Sequence, residues 1–296
     1  MKNKKLVLSS LGFLMFISIF VFAEIFLKNS MQTQNKNIIE GENITIMVKE
    51  RWYSRVPLDM VWIEPGTFIM GSPSKELGRS SDESQHNVTI SKGFWLGKYE
   101  VTQAQYKAVM GTNLSYFVCN NNPVEEVNWY NAMEFCEKLT AQEKTAGRLP
   151  EGYEYSLPTE AQWEYACRAG TTTALNNGKD LPDKYRCPNM DEVGWYWDNR
   201  DRGNLAAHPV GLKQPNAWGL YDMHGNIWEW CLDWYGDYPA ESEIDPKGPD
   251  TGEFRICRGG CWNYDAFRCR SADRGYCYSQ YSYDHIGFRV ALVPIQ

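Results

Sequence analysis

The sequence predicts an α+β fold: a single domain in which short strands and three helices are joined by long irregular loops. Three helix starts carry capping residues, and several short apolar runs end at turn residues. Much of the second half follows neither a two-residue nor a 3.6-residue period, which is typical of loops. With 296 residues, the chain is long enough for one large domain, and no internal repeat argues for more.

Strand patterns open the domain and return towards its end. The stretch MVWIEPGTFIMGS, at 60–72, places two apolar runs around Pro65 and Gly66, which predicts a hairpin. The stretch VTISKGFWLGKYEVT, at 88–102, predicts a second strand pair. Further short strands are expected within 218–225, 227–235, 254–262 and 287–293.

The three helices begin at recognisable caps. Thr102 is followed three positions later by Gln105, and Thr159 by Gln162, which is the pattern of a capping box. Asn128 precedes an apolar face at helical spacing and is the expected cap of the middle helix.

The N-terminus predicts export. Three lysines within the first five residues precede an apolar run over 6–23, and Val21 and Ala23 fit the small positions of a signal-peptidase site. The run is also long enough to span a bilayer. Residues 1–23 are therefore expected to be a cleaved signal peptide or a retained anchor, which would tether the chain to a membrane. Both alternatives predict a periplasmic, cell-surface or secreted protein, with a linker over 24–58 and the domain over 59–296.

Charge and residue composition limit the classes of partner that this protein is expected to bind. The formal net charge of -7 argues against nucleic acid, because phosphate binding needs a basic surface. Nine cysteines are present, and an odd number leaves at least one unpaired. The four histidines are scattered and lack the spacing of a zinc site.

Seven motifs follow one another in order: MVWIEPGTFIMGS, YEVTQAQYKAVMG, PVEEVNWYNAMEFCEKL, YSLPTEAQWEYACRAGT, PVGLKQPNAWGLYDMHGNIWEWCLDW, RGGCW and GFRVAL. Together they resemble the formylglycine-generating enzyme family, or sulfatase-modifying factor domain, over residues 59–293. The resemblance implies a C-type-lectin-like fold with bound calcium. The founding enzymes oxidise a substrate cysteine to formylglycine with oxygen and hold copper(I) between two cysteines.

The copper pair of that family is incomplete in this sequence. Tyr264 stands where the resemblance places the first copper cysteine. An ungapped count reaches Cys269 for the second, but the loop that follows is three residues shorter than in the family. Cys261 replaces a family serine and forms, with Cys269, the remaining candidate pair for Cu⁺, which prefers soft thiolates. The resemblance therefore leaves a copper-dependent formylglycine-generating oxidase, or another oxidoreductase of the superfamily, as the alternative function.

The residues of a calcium site of that family are matched more completely than those of the copper site. The loop DMHGNIWEW matches a family calcium site at Asp222, Gly225, Ile227 and Glu229, where Gly225 and Ile227 would contribute backbone carbonyls. Hard oxygen ligands on a tight loop suit Ca²⁺. The alternative is that the two carboxylates only cap a turn.

The C-terminal stretch 263–285 is rich in tyrosine, and its apolar residues follow no period, which predicts loop. Some proteins with the family's fold are display proteins whose sequences are diversified by reverse transcription, in systems called diversity-generating retroelements. The variable region of those proteins corresponds to this stretch. Tyrosine with small polar residues is also the palette of antibody binding loops. The leading hypothesis is therefore a non-catalytic protein that binds a protein or glycan ligand. The candidate binding residues are Asn263, Tyr264, Asp265, Phe267, Tyr276, Tyr278, Ser279, Tyr281, Tyr283 and His285.

The same hypothesis separates scaffold from surface. The tyrosines are expected to cluster and to be partly exposed, whereas the alternative is that they cover the core of a loop-rich fold. The residues expected to belong to the buried scaffold are Trp262, Arg270, Ala272, Phe288 and Val290.

Overall fold

The computed structural model describes residues 58–200 and 206–295. The expected signal peptide or anchor over 1–23 lies outside the described residues, as does the expected linker up to residue 57. Among the described residues, no helix has the length and apolar character needed to cross a membrane.

Regular structure is short and widely spaced. The strands are β1 Met60–Ile63, β2 Gly66–Met70, β3 His86–Ile90, β4 Phe94–Gly97, β5 Tyr153–Ser156, β6 Gly194–Trp195, β7 His224–Gly225, β8 Trp228–Trp234, β9 Glu243–Ile244, β10 Phe254–Arg258, β11 Gly275–Tyr278, β12 Ile286–Gly287 and β13 Ala291–Pro294. The helices are α1 Gln103–Met110, α2 Trp129–Thr145, α3 Glu160–Arg168 and α4 Pro188–Asp191, with a 3₁₀ helix at Ala266–Cys269. The α+β prediction is confirmed.

All three helix starts are as predicted. The Thr102 hydroxyl accepts the backbone N–H of Gln105, and the side chain of Gln105 accepts the N–H of Thr102 in return. The same reciprocal pattern caps α2 at Asn128 and α3 at Thr159. Each box satisfies two N–H groups that a helix start would otherwise leave unpaired.

The two predicted strand pairs are wrong in their pairing. β1 pairs with β4 and β2 pairs with β3, all antiparallel, so the chain alternates between two sheets. The Pro65–Gly66 turn between β1 and β2 packs against α3. The hydroxyl of Tyr165 on α3 donates to the carbonyl of Glu64, and a Cβ added to Gly66 would lie 2.3 Å from that hydroxyl oxygen. The ring of Tyr165 therefore lies against the turn, where only glycine fits.

The sheets place the C-terminal segment at an edge. One sheet has the order β1-β4-β13-β5, and a second has the order β11-β10-β8-β12 with β11 outermost. Residues 275–278, expected to be loop, are thus an edge strand paired with β10. Tyr276 of this strand is exposed, and Cys277 and Tyr278 are half-buried, so burial does not follow the two-residue period that marks a strand in a sequence. The strand predicted within 218–225 shrinks to β7, and that within 287–293 is limited to Gly287 in β12 and to the start of β13.

Buried ion pairs join α3 to the second sheet. Glu164 holds Arg168 of its own helix at 2.9 Å and also pairs with Arg258 at the end of β10. Glu160, one turn earlier, receives two hydrogen bonds of 2.8 and 2.9 Å from Arg274. All five side chains are buried. A buried pair is costly to break, because the remaining charge has no water to solvate it.

The network predicts an asymmetry between buried and exposed carboxylates. Glu164→Gln keeps the shape but leaves Arg168 and Arg258 short of charge, so we expect a loss of about 3–5 kcal/mol in unfolding free energy. Glu134→Gln removes the surface pair with Lys138 and should cost less than about 1 kcal/mol. Denaturant unfolding measures both, and equal losses would contradict the assigned role of the network.

Candidate functional site

A row of aromatic rings crosses the second sheet and the loop that follows it. We call this row the aromatic face: Phe254, Tyr264, Tyr276, Tyr278, Tyr281, Tyr283 and His285. Consecutive ring centroids are separated by 5.2 Å (Tyr276–Phe254), 4.6 Å (Phe254–Tyr278), 5.1 Å (Tyr278–Tyr281), 6.4 Å (Tyr281–Tyr283), 5.3 Å (Tyr283–His285) and 6.1 Å (His285–Tyr264). These are contact distances for aromatic pairs, so residues up to 31 positions apart form one continuous surface.

Exposure separates this face from the core. Tyr264, Tyr276, Tyr281 and Tyr283 keep 39%, 52%, 44% and 42% of their surface accessible. Tyr278 and His285 are half-buried. Tyrosines that served only to cover the core would be buried, as Tyr106 and Tyr196 are in this protein.

Several candidate residues lie differently from expectation. Ser279 is buried, and its carbonyl accepts the N–H of Trp129. It therefore anchors the face to α2 instead of contributing exposed surface. Phe267 packs beside Tyr185, at a ring distance of 6.3 Å. Asn263 and Asp265 are half-buried, and the side chain of Asn263 accepts a hydrogen bond from Cys261.

The structure adds residues that the sequence pattern missed. Tyr130 of α2 is 54% exposed and its hydroxyl lies 3.2 Å from that of Ser279. Carboxylates border the face as well: Glu253 accepts the hydroxyl of Tyr278, and Glu126 that of Ser282. Helical periodicity would place Tyr130 on the outer side of α2, but only the fold brings it beside the face.

The residues expected to form the scaffold are buried as predicted. Trp262, Arg270, Ala272, Phe288 and Val290 are each at most 5% exposed. Both terminal nitrogens of Arg270 bind Glu83, at 2.7 and 2.8 Å, and its Nε donates to the carbonyl of Phe267. These buried contacts of Arg270 therefore fix the segment between the 3₁₀ helix and β11.

The candidate copper residues, Cys261 and Cys269, each direct their thiol towards a neighbouring oxygen atom. Cys261 and Cys269 are fully buried, and burial raises the pKa of both thiols. The Sγ of Cys269 lies 4.0 Å from the carbonyl oxygen of Cys261, and the Sγ of Cys261 donates to Asn263. Tyr264, at the position of the missing cysteine, is partly exposed. Cu(I) needs converging thiolates, and a raised thiol pKa opposes their formation.

The calcium candidates lie in a loop that carries excess buried negative charge. Both oxygens of Glu229 bind Arg289 at 2.6 Å, and one also accepts the indole N–H of Trp163 at 2.7 Å. Asp222 is buried with a positive φ of 57°. Its Oδ2 accepts the N–H of Gly211, and its buried Oδ1 has no hydrogen-bond partner.

The pKa values of two buried carboxyl groups at this loop are raised, which reflects burial and a shortage of positive charge. Burial, followed by the nearby Asp222 and Glu229, raises the pKa of Glu100. Burial is also the main cause that raises the pKa of Asp222 to about 6. Three carboxylates thus share the positive charge of Arg289 and, at Asp222, that of Lys213. Within 58–200 and 206–295, no group of three or more His, Cys, Asp or Glu side chains is arranged to hold a metal. The expected calcium ligands are two carboxylates and two backbone carbonyls. The Oδ1 of Asp222, which has no hydrogen-bond partner, is chemically suited to bind a cation.

Fold and site together define a lectin-like α+β domain of the sulfatase-modifying type. The family model of the sulfatase-modifying factor enzyme 1-like domain matches residues 49–293. The chain belongs to this family, as the seven ordered motifs indicated.

The names of similar proteins describe different functions. The chain is 34% identical to a chaperone protein LppX of Paenibacillus barcinonensis, over 69% of this chain and 78% of that protein. It is also 34% identical to a formylglycine-generating enzyme of Thermomonospora curvata, over 66% of this chain and 63% of the enzyme. The match therefore leaves more than a third of that enzyme's length uncovered.

A solved structure gives a match over nearly its full length. The fold superposes on Treponema denticola variable protein 1 with a TM-score of 0.69 at 28% identity. The superposition covers 80% of this chain and 95% of that protein.

Exposure of the face predicts small stability costs. Tyr281→Ala and Tyr283→Ala should each lower the unfolding free energy by less than about 0.5 kcal/mol, because few core contacts are lost. Phe288→Ala, in the fully buried scaffold, should cost about 3–5 kcal/mol. Chemical denaturation of the three variants decides. Core-sized losses for both tyrosines would assign them to the core.

Proposed function

We propose that this protein is a non-catalytic binding protein that holds a protein or glycan ligand on the aromatic face. The observation that supports the proposal is that exposed tyrosines lie on a segment held in place by buried contacts. Four tyrosines are 39–52% exposed, while the segment between them is fixed by buried ion pairs. Rigid tyrosines supply large contact area at low entropic cost, and this favours them in binding surfaces.

Surface chemistry supports a ligand with hydrogen-bond donors or positive charge. Glu126, Glu253 and Asp284 border the rings, and Glu126 accepts the Ser282 hydroxyl at 3.0 Å. Complementary charge steers association and selects partners. The likeness to a protein named a variable protein supports a face whose residues are exchangeable. Export through residues 1–23, with release or membrane tethering, remains part of the proposal, as does the absence of nucleic-acid binding.

Randomisation tests the proposal directly. One displayed library varies Tyr264, Tyr276, Tyr281 and Tyr283, and a matched library varies the buried Ala272, Phe288, Val290 and Trp262. We expect most members of the first library to fold and most of the second to fail, as judged by protease resistance. Selection of the first library against immobilised streptavidin should yield binders.

Equal folded fractions in the two libraries would contradict the proposal, as would a folded first library without binders. A further observation is available from the genome: a nearby reverse-transcriptase gene with a near-copy of codons 261–290 would support diversification of this face.

The alternative function is a formylglycine-generating oxidase. It is carried by the family membership and disfavoured by Tyr264 and by the raised thiol pKa of Cys261 and Cys269. Incubation of the purified protein with Cu(I), oxygen and a Cys-x-Pro-x-Arg peptide distinguishes the two functions. We expect the peptide mass to stay unchanged. Formation of formylglycine would overturn the non-catalytic proposal.

We further propose that Ca²⁺ binds the loop of Asp222 and Glu229. The Oδ1 of Asp222, the carbonyls of Gly225 and Ile227, and Glu229, which is shared with Arg289, would hold it. A divalent cation there offsets the excess negative charge and gives the unpartnered oxygen a ligand. The charge on Glu229 is already shared, so Asp222 is the critical carboxylate.

Calcium should change both stability and its pH dependence. Binding to the folded state adds about 2.7 kcal/mol when free calcium is about 100 times Kd, so EDTA should lower Tm. In EDTA, the raised pKa of Asp222 makes its contribution to stability fall as pH rises from about 4 to about 6. Calcium should remove that fall by replacing the proton.

Asp222→Asn should abolish both the EDTA effect and this part of the pH dependence, whereas the exposed Asp250→Asn should change neither. Thermal melts across this pH range are sufficient. A wild-type Tm indifferent to EDTA excludes calcium binding by this loop.

A further inference from the structure

A cleft of about 380 Å³ lies between the turn after β3, the start of α3, the segment after β9 and the end of β13. Its volume equals that of about twelve water molecules at their share of liquid volume, which is enough for a small organic ligand. None of the seven residues of the aromatic face lines the cleft. A ligand bound here is therefore independent of the function proposed above.

Hydrogen bonds hold two lysine-bearing segments of the cleft side by side. β9 pairs in parallel with β3, and the N–H of Asp245 donates to the carbonyl of Thr89 at 2.9 Å. The carboxylate of Asp245 accepts the N–H of Ser91, at 2.8 Å, and also its hydroxyl. Lys92 directly follows Ser91, and Lys247 comes two residues after Asp245. These contacts therefore bring both lysines to the same cleft.

The two lysines of the cleft have no carboxylate partner among the described residues. Neither Lys92 nor Lys247 is among the lysines that form ion pairs in residues 58–200 and 206–295. Of the described residues that line the cleft, only Asp245 is acidic, and both of its oxygens already accept hydrogen bonds from Ser91. Both lysines are exposed, so their ammonium groups are accessible and attract an anion.

The remaining wall combines one amide donor with an apolar surface. The Oε1 of Gln162 accepts the N–H of Thr159 at 3.0 Å in the capping box of α3. This bond orients the amide and leaves its Nε2 as a donor for other acceptors. The apolar side is formed by Ile90, Pro246, Val293 and Pro294. A ligand that fits both parts needs an anionic head and an apolar body.

We propose that this cleft binds a small organic acid, in which a carboxylate carries an apolar chain. The carboxylate lies between the ammonium groups of Lys92 and Lys247 and accepts from the Nε2 of Gln162, while the chain packs against Val293 and Pro294. Charge-assisted hydrogen bonds are the stronger kind, and removal of the chain from water adds an apolar contribution. An inorganic anion would use only the lysines, and an uncharged chain would use only the apolar wall.

Three probes separate the two parts of the site. Calorimetric titration of the purified protein near neutral pH uses n-hexanoate, 1-hexanol and inorganic phosphate. The second has the chain without the charge, and the third has negative charge without a chain. We expect hexanoate to bind, and the other two to bind more weakly by about tenfold or more. No heat of binding from hexanoate up to about 10 mM, or hexanol or phosphate bound as tightly as hexanoate, would overturn the proposal.

Chain length gives a second readout. Acetate, butyrate and hexanoate carry the same charge, and each added CH₂ group should lower Kd by up to about fourfold as it leaves water. The same Kd for all three acids would contradict a contact between the chain and the apolar wall.

Matched variants locate the site. Lys92→Gln and Lys247→Gln should each raise the Kd of hexanoate about fivefold or more, because a charge-assisted hydrogen bond is lost. Lys107→Gln makes the same change at an exposed position of α1 outside the cleft and should leave Kd unchanged. All three lysines are exposed, so each variant should keep the wild-type Tm. Equal effects of the three substitutions on Kd would refute the assignment to this cleft.

A carboxylate also ends every peptide chain, and one further probe distinguishes this source from a free organic acid. N-acetyl-leucine imitates the carboxyl end of a peptide, whereas hexanoate lacks its amide group. We expect hexanoate to bind at least as tightly as N-acetyl-leucine. Binding of N-acetyl-leucine that is tighter by about tenfold would assign the cleft to peptide termini and overturn its assignment to a free organic acid.

Discussion

Buried guanidinium groups are the constraint on which this fold depends. Regular hydrogen-bond ladders are short here, so the loops need other partners for their backbone carbonyls. Arg258, Arg270, Arg274 and Arg289 each bind a buried carboxylate and also donate to at least one loop carbonyl. A guanidinium offers five donors in a fixed plane, so one side chain can join several segments. Such groups cost much desolvation free energy, and they are tolerated because every charge has its partner.

This arrangement separates the residues that hold the fold from those that form its surface. Arg270 and Arg274 fix the segment before β11 from below, and β11 itself is held by backbone pairing with β10. Neither interaction involves the exposed side chains of Tyr276 or Tyr281. A change at those positions therefore leaves the supporting contacts intact. The same logic explains why Ser279, whose backbone contacts α2, is buried among otherwise exposed neighbours.

Local patterns made the helices predictable, and distant partners made the rest unpredictable. A cap such as Thr159 is specified by residues three positions away, so α3 could be placed from sequence. The partner of β1 is β4, a strand about 30 residues later, and no local pattern around β1 specifies that choice over the nearer β2. The pairing of Glu229 with Arg289 spans 60 positions. Spacing alone could suggest Glu229 as a metal ligand but could not reveal its guanidinium partner.

The pinning of the last residues of the aromatic face has a consequence for how binding would proceed. Trp228 donates its N–H to the carbonyl of His285, and Glu126 donates to that of Tyr283. The backbone beneath these rings is thus ordered by folding, before any ligand arrives. Ordering a loop on binding costs free energy, and here the ordering of this backbone belongs to the folded state itself. For the proposed ligand, such a surface would act as a preformed template: it would gain affinity by shape matching and would adjust little to a poorly fitting partner.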